Sequence, residues 1–194
     1  VPTTVLELLE RYPTLLLDSF GVLVDGSGPL PHAVELITHL NEVGHDYLIV
    51  TNDASRLHST TAVRYRELGL AIPESRILTS GQLIRPHFEA RGLAGSSCLV
   101  LGTRDSEAYV REAGGDVRPI DPTEDYEVIV VADDAGYEYF EAVDAALSAV
   151  VRRTERGEKT ELVLPNPDLI YPKAPGQFGF TAGSVALLLE AGFR

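Results

Sequence analysis

Two short apolar runs with a helix-like segment between them dominate the first third of the chain. The first run, residues 15–17, leads directly into Asp18, and the second ends in Thr51 and Asn52. Short apolar runs of this kind are typical of buried strands in a parallel sheet. Between them, apolar residues recur at helical spacing over residues 31–43. The pattern predicts a βαβ unit in which both strands end in polar residues.

Asp18 stands at the carboxyl end of the first predicted strand, which is where open α/β sheets hold their ligands. A carboxylate in this place acts as a nucleophile, as a metal ligand or as both. The alternative interpretation is that Asp18 only caps the turn after the strand. A right-handed crossover brings the two strand ends together when the strands are neighbours. We therefore expect Asp18, Thr51 and Asn52 to share one crevice.

The alternation of strands and helices continues along the chain and predicts two α/β modules. A third short strand at residues 77–79 belongs to the first module, which we expect over residues 1–79. A second module with its own sheet is expected from residue 80 onward. Its predicted elements are a helix at 81–90 that is bent at Pro86, strands at 98–101, 126–132 and 162–164, and helices at 104–113 and 139–153.

Composition narrows the class of protein and of partner. The formal net charge of −13 argues against nucleic acid and against anionic membrane surfaces as partners. No apolar run approaches the roughly 20 residues that span a bilayer. Cys98 is the only cysteine and lies in a strand-like run, so we expect a buried thiol in a protein of a reducing compartment, the cytoplasm. A homodimer is compatible with the sequence.

The residues at the two strand ends carry a resemblance to a known family. Asp18 followed by Gly21-Val22-Leu23 is similar to the first motif of the haloacid dehalogenase (HAD) superfamily. Thr51-Asn52-Asp53-Ala54-Ser55-Arg56 resembles the second motif of its NagD-like branch, class IIA, which holds many sugar-phosphate and nucleotide phosphatases. Asn166-Pro167-Asp168, and later Gly183-Ser184, resemble the segment by which that branch returns from its cap domain to its core.

The resemblance implies an α/β fold with a doubly wound parallel-sheet (Rossmann-like) HAD core and an α/β cap domain. The core would begin with residues 1–79, the cap would occupy residues 80–180, and residues 181–194 would form a truncated return to the core. The third and fourth motifs of the family, a lysine and an acidic pair, do not follow Gly183 in this sequence. We therefore expect the chain to be a segment of a longer protein.

The resemblance also implies a role for each site residue. Asp18 would attack phosphorus and form an aspartyl-phosphate, while Thr51 and the backbone N–H of Asn52 would bind the phosphoryl oxygens. Mg²⁺ would be bound by the Asp18 carboxylate and the Phe20 backbone carbonyl, and the partner would be a small phosphorylated substrate.

Two further carboxylates are candidates for substrate contact in the cap. Asp133 and Asp134 follow a predicted strand and precede a predicted helix. The alternative is that they only provide the negative charge that the start of a helix favours.

One position departs from the family pattern. The phosphatases carry Asp-x-Asp-Gly, and here Phe20 replaces the second Asp, which is the general acid. Loss of a general acid typically costs about 10²–10⁴ in rate. Two functions therefore stay open: a Mg²⁺-dependent phosphatase, or a catalytically impaired relative that binds a phosphorylated ligand or a protein partner. Asp25 could supply a carboxylate, although the Asp25-Gly26-Ser27-Gly28 run favours a turn.

Overall fold

The computed structural model describes residues 4–174 and 176–193, and the chain divides into two compact units. The first unit comprises Val1–Thr51 and His58–Thr79, and the second comprises Asn52–Leu57 and Ser80–Arg194. This division differs from the expected boundaries in two places. Residues 52–57 pack with the second unit, and so do residues 181–193, which lie in the range expected to return to the core.

The first unit contains a parallel sheet whose successive strands are connected by helices. Its elements in chain order are α1 (Val5–Arg11), β1 (Thr14–Asp18), β2 (Val24–Asp25), β3 (Gly28–Pro29), α2 (Ala33–Glu42), β4 (Asp46–Thr51), α3 (His58–Glu67), a 3₁₀ turn (Glu74–Arg76) and β5 (Ile77–Thr79). The sheet has the order β1-β4-β5, and both pairs of strands are parallel. Strands β2 and β3 form a separate antiparallel hairpin.

The second unit has a sheet of its own. Its elements are a 3₁₀ turn (Ser80–Leu83), α4 (Ile84–Arg91), β6 (Ser97–Leu101), α5 (Arg104–Glu112), β7 (Asp116–Val117), β8 (Val128–Val131), α6 (Tyr139–Glu155), β9 (Glu161–Val163), β10 (Ile170–Ala174), β11 (Gln177–Phe180) and α7 (Ala182–Phe193). The order β7-β6-β8-β9 is parallel throughout, and β10 and β11 form a separate hairpin. Pro175, between these two strands, lies outside the described residues.

Both faces of the second sheet are covered by helices, as expected for a doubly wound fold. One face packs Leu99 and Ile129 against α6 and α7. The opposite face packs Val100 and Val130 against α4 and α5. Successive strand residues point to opposite faces, so a strand buried on both sides is apolar at every position. The near-continuous apolar runs of β6 and β8 follow from this.

Strand β1 is less buried than its apolar sequence predicts. It is an edge strand of the sheet in the described part of the chain, and its burial alternates. Leu15 and Leu17 pack against the core of the first unit, whereas Leu16 is 69% exposed. The expectation of a fully buried strand was wrong here because only one face of β1 is covered.

Helix α7 contributes to the core of the second unit. Ala182, Val185 and Leu189 pack with Ala146 and Ala149 of α6. The apolar residues of α7 therefore pack against α6 and β8, which explains why this helix belongs to the second unit. Within the described ranges, no helix combines the length and apolar character that a membrane crossing needs.

Candidate active site

Asp18 and Thr51 end two neighbouring strands. Strands β1 and β4 pair in parallel with Asp18 opposite Val50, so Thr51 lies one residue further along the adjacent strand. Both residues are therefore at the carboxyl edge of the sheet, as the βαβ pattern predicted for the strand ends. The Asp18 side chain is exposed there, and Thr51 is buried.

The turn after Asp18 is held tightly. The Ser19 N–H donates to Asp18 Oδ1 at 2.8 Å and orients the carboxylate. The Ser19 carbonyl accepts hydrogen bonds from three backbone N–H groups, those of residues 22–24. Gly21 has a φ of +85°, a conformation that glycine adopts without strain. The backbone of Phe20 is thereby set beside Asp18, and its aromatic side chain is half-buried.

Asp25 is a turn residue. Its Oδ1 accepts a hydrogen bond from the Ser27 N–H at 2.7 Å, in the loop that joins β2 to β3. This is the local Asx turn that the sequence favoured over a catalytic carboxylate.

The Asn52 side chain is engaged by the Asn-Pro-Asp segment. Asn52 Nδ2 donates to Asn166 Oδ1 at 3.1 Å and also to Asp168 Oδ2. The Asn52 carbonyl accepts from Ser80 Oγ at 2.8 Å. All four residues belong to the second unit. Both segments resemble family motifs, but nothing in the sequence predicted that they pair.

The residues after Asn52 are anchored by side chains of the second unit. Three successive carbonyls, those of Ala54, Ser55 and Arg56, each accept from a side-chain hydroxyl, and the Leu57 N–H donates to a carboxylate. The partners are Ser106 Oγ (2.9 Å), Thr103 Oγ1 (2.5 Å), the Tyr109 hydroxyl (2.9 Å) and Asp105 Oδ2 (2.9 Å). We call residues 54–57 the anchored segment. The sequence did not predict these partners, since its pattern indicated only a helix over residues 104–113.

Asp133 and Asp134 follow β8 and are half-buried. Burial raises the pKa of Asp133 to about 6, and the nearby carboxylates of Asp134 and Asp53 add to the rise. The Asp133 carbonyl also accepts from the Tyr137 hydroxyl at 3.1 Å. The structure thus brings Asp133 into electrostatic reach of Asp53, which belongs to the second motif.

The two groups expected to bind a metal ion are both oxygen donors. The Asp18 carboxylate and the Phe20 carbonyl are both hard oxygen donors on one turn. In residues 4–174 and 176–193, no group of three or more His, Cys, Asp or Glu side chains could hold a metal ion. Mg²⁺ takes few protein oxygens and retains several waters, so this pair of donors fits it in type.

Cys98 is a buried structural thiol, as expected. Its side chain is fully buried in β6, and burial raises the pKa of the thiol to about 12, with the carboxylates of Asp116 and Glu127 contributing. A thiol with so high a pKa is not a nucleophile near neutral pH.

A family model decides which proteins this chain is related to. The model of the haloacid dehalogenase-like hydrolases matches residues 15–116, more than half of the chain. The chain belongs to this family. The matched range begins in β1 and includes Asp18, Thr51 and Asn52, so the two strand ends described above lie inside it.

Curated relatives and solved structures agree with this assignment. Mouse chronophin is 27% identical over 191 residues, and a dihydroxyacetone phosphatase of Corynebacterium glutamicum is 26% identical over 176 residues. They cover 95% and 91% of this chain, which spans 63% and 59% of their lengths. A HAD-superfamily structure from Cytophaga hutchinsonii, described as a "possible sugar phosphatase", is 29% identical to this chain and superposes with a TM-score of 0.84. The match covers 97% of this chain and 66% of the Cytophaga chain.

Proposed function

We propose that this protein is a Mg²⁺-dependent phosphatase that acts on a small phosphate ester, a sugar phosphate or a nucleotide. The observation that carries the proposal is the position of Asp18 and Thr51 at the ends of two adjacent parallel strands. Membership of the haloacid dehalogenase-like hydrolases supports the reaction class. Phosphatase names among the relatives, dihydroxyacetone phosphatase included, support the substrate class.

Asp18 is the proposed nucleophile. A carboxylate oxygen attacks phosphorus, the bond from phosphorus to the ester oxygen breaks, and the leaving alkoxide takes up a proton from water, because Phe20 cannot donate one. Water then attacks phosphorus, releases inorganic phosphate and regenerates the carboxylate. The Ser19 N–H, which donates to Asp18 Oδ1 at 2.8 Å, limits the rotation of the carboxylate and so prepares it for attack.

Thr51 and Asn52 are the proposed phosphate ligands, through the Thr51 hydroxyl and the Asn52 backbone N–H. The Asp18 carboxylate and the Phe20 carbonyl would hold Mg²⁺, which supplies charge neutralisation at the phosphoryl oxygens. Donors fixed on a rigid strand end need little reorganisation during the reaction, which is the main protein contribution in phosphoryl transfer.

Residues 1–79 are the proposed first part of the core, and residues 80–180 are the proposed cap domain. Asp133 and Asp134 are its candidate substrate contacts. Carboxylates only accept hydrogen bonds when ionised, so they favour substrates rich in hydroxyl groups over a second phosphate. This preference agrees with a sugar phosphate.

Phe20 supports a second candidate function. Its side chain cannot transfer a proton, and it occupies the position of the general acid. A relative that binds a phosphorylated ligand or a protein partner and turns it over poorly is the alternative to an efficient phosphatase.

The test is phosphate release from a panel of sugar phosphates and nucleotides with Mg²⁺, for the wild type and Asp18→Asn. We expect measurable release by the wild type, none by Asp18→Asn, and none after chelation of the metal. Release that survives Asp18→Asn would exclude Asp18 as the nucleophile. Tight binding of a phosphate ester without release would favour the second function.

A further inference from the structure

The Asn-Pro-Asp segment holds the second motif by its Asn52 side chain. We propose that Asn166 and Asp168 are positioning residues, which orient Asn52 so that its backbone N–H faces the phosphate. This inference rests on the proposed function, because it assigns a purpose to contacts around a proposed phosphate ligand.

The hydrogen-bonding capacity of Asn52 supports this division of labour. A side-chain amide has two N–H donors, and the Asn52 amide donates to two acceptors, Asn166 Oδ1 and Asp168 Oδ2. The Asn52 carbonyl accepts a hydrogen bond from the Ser80 hydroxyl. With the side-chain donors and the carbonyl engaged in this way, Asn52 offers phosphate its backbone N–H. The side chain serves to fix the residue and does not contact substrate.

The two acceptors are themselves fixed. The Asp168 backbone N–H donates to Asn166 Oδ1 at 3.0 Å, so the Asn166 side chain closes a turn around Pro167. The Asp168 carbonyl accepts from the Gly183 N–H at 3.0 Å and from the Thr181 hydroxyl. The turn is therefore tied to the start of α7 through the Asp168 carbonyl.

Gly183 is required for this close approach. A Cβ at residue 183 would overlap the carbonyl oxygens of Pro167 and Asp168. The glycine of the Gly183-Ser184 pair thus lets the helix start pack against the turn. Ser184 adds a further tie, because its hydroxyl donates to the Leu169 carbonyl at 2.6 Å.

The ionised Asp168 makes the contact stronger than an ordinary surface hydrogen bond. Hydrogen bonds to a carboxylate are shorter and about twice as strong as those between neutral groups. Both Asn52 and Asp168 are exposed, so a neutral contact between them would compete poorly with water. The charge on Asp168 gives the Asn52 amide a defined place at this exposed site.

The test compares three variants of the full-length protein: Asp168→Ala, Asp168→Asn and, as a matched control, Glu89→Ala, which removes an exposed carboxylate on α4. The first readout is the ¹⁵N order parameter of the Asn52 backbone amide. The second is the affinity for inorganic phosphate in the presence of Mg²⁺, measured by titration calorimetry.

We expect Asp168→Ala to lower the order parameter of Asn52 from about 0.85 towards 0.6 and to weaken phosphate binding about tenfold. Asp168→Asn keeps an acceptor oxygen but loses the charge, so it should restore only part of both, and Glu89→Ala should change neither. An unchanged order parameter in Asp168→Ala overturns the positioning role. Loss of order without weaker phosphate binding also overturns it. A wild type that binds no phosphate contradicts the proposed function, whereas the order parameter still reports on the contact.

Discussion

The Ser19 hydroxyl oxygen and the Tyr65 hydroxyl oxygen lie 2.5 Å apart, in a buried hydrogen bond between residues 46 positions apart in the chain. Ser19 directly follows the proposed nucleophile, and Tyr65 belongs to α3. The bond therefore ties the turn after Asp18 to a helix that lies after the second motif in sequence. It contributes to the rigidity of the turn that carries Asp18 and Phe20.

Tyr65→Phe removes one hydroxyl from this bond and leaves the ring in place. We expect a loss of about 1–3 kcal/mol in the free energy of unfolding, because the buried Ser19 hydroxyl loses this partner. Urea unfolding of the wild type, Tyr65→Phe, Ser19→Ala and the double variant measures the coupling. If the two single losses simply add in the double variant, the hydrogen bond does not contribute to stability.

Phe20→Asp supplies a proton donor at the position of the family's general acid. We expect phosphate release to rise by up to about 10²–10⁴, since this is the usual contribution of general acid–base catalysis. The increase in the rate of phosphate release is smaller if burying a carboxylate at this half-buried position destabilises the turn.

Phe20→Leu is the matched control for this change, because it alters the packing without adding a proton donor. It should leave the rate of phosphate release near that of the wild type. An equal increase in both variants would mean that the aromatic ring hinders turnover and that a missing proton is not the cause.

Gly183→Ala tests the close approach of α7 to the Asn-Pro-Asp turn. The added methyl group would overlap two backbone carbonyl oxygens, so we expect a loss of about 1–3 kcal/mol in the free energy of unfolding. Gly192→Ala on the same helix is the control, since its Cβ would meet only the Leu147 side chain, at 3.3 Å. Thermal unfolding compares the two, and equal shifts would argue against a special requirement at Gly183.

Thr103→Val tests how the anchored segment is held. The Thr103 hydroxyl donates to the Ser55 carbonyl and accepts from the Ser106 N–H at the start of α5. Losing both should cost about 2 kcal/mol of stability and should raise hydrogen exchange in residues 54–57. Thr103→Ser keeps the hydroxyl and should resemble the wild type. Unchanged exchange in Thr103→Val would show that the other partners suffice.

Asp133 makes stability depend on pH. Its pKa is about 6 in the folded protein and 3.8 in its ordinary environment, so the folded state binds the proton more tightly. The free energy of unfolding should therefore be highest below about pH 4, fall between pH 4 and pH 6 and level off above. Asp133→Asn should raise the melting temperature at pH 7 and reduce this slope, whereas Glu89→Gln should not. A slope that persists in Asp133→Asn would assign it to other groups.

Local patterns were sufficient to predict most helices and strands. Apolar runs and helical spacing predicted β1, β4, β5, β6 and α6 close to their observed bounds, because these signals arise from neighbouring residues. They also predicted that Asp18 and Thr51 would end neighbouring strands. The hairpin of β10 and β11 was not predicted. The aromatic residues of β11 are exposed, and the sequence of the hairpin lacks the alternation of apolar and polar residues that predicts a strand. Phe178 and Phe180, both on β11, are 65% and 72% exposed.

The sequence by itself thus determined the family, the α/β class and the candidate nucleophile. Only the tertiary structure decided which distant groups meet. The contact of Asn52 with Asp168 joins residues 116 positions apart, and the anchored segment takes its partners from a helix about 50 residues away. Hydrogen bonds of this kind leave no periodic trace in either segment, because each depends on the path of the whole chain. The same reason explains why the sequence did not predict the packing of α7 on α6, since the apolar face of α7 could pack against any complementary helix.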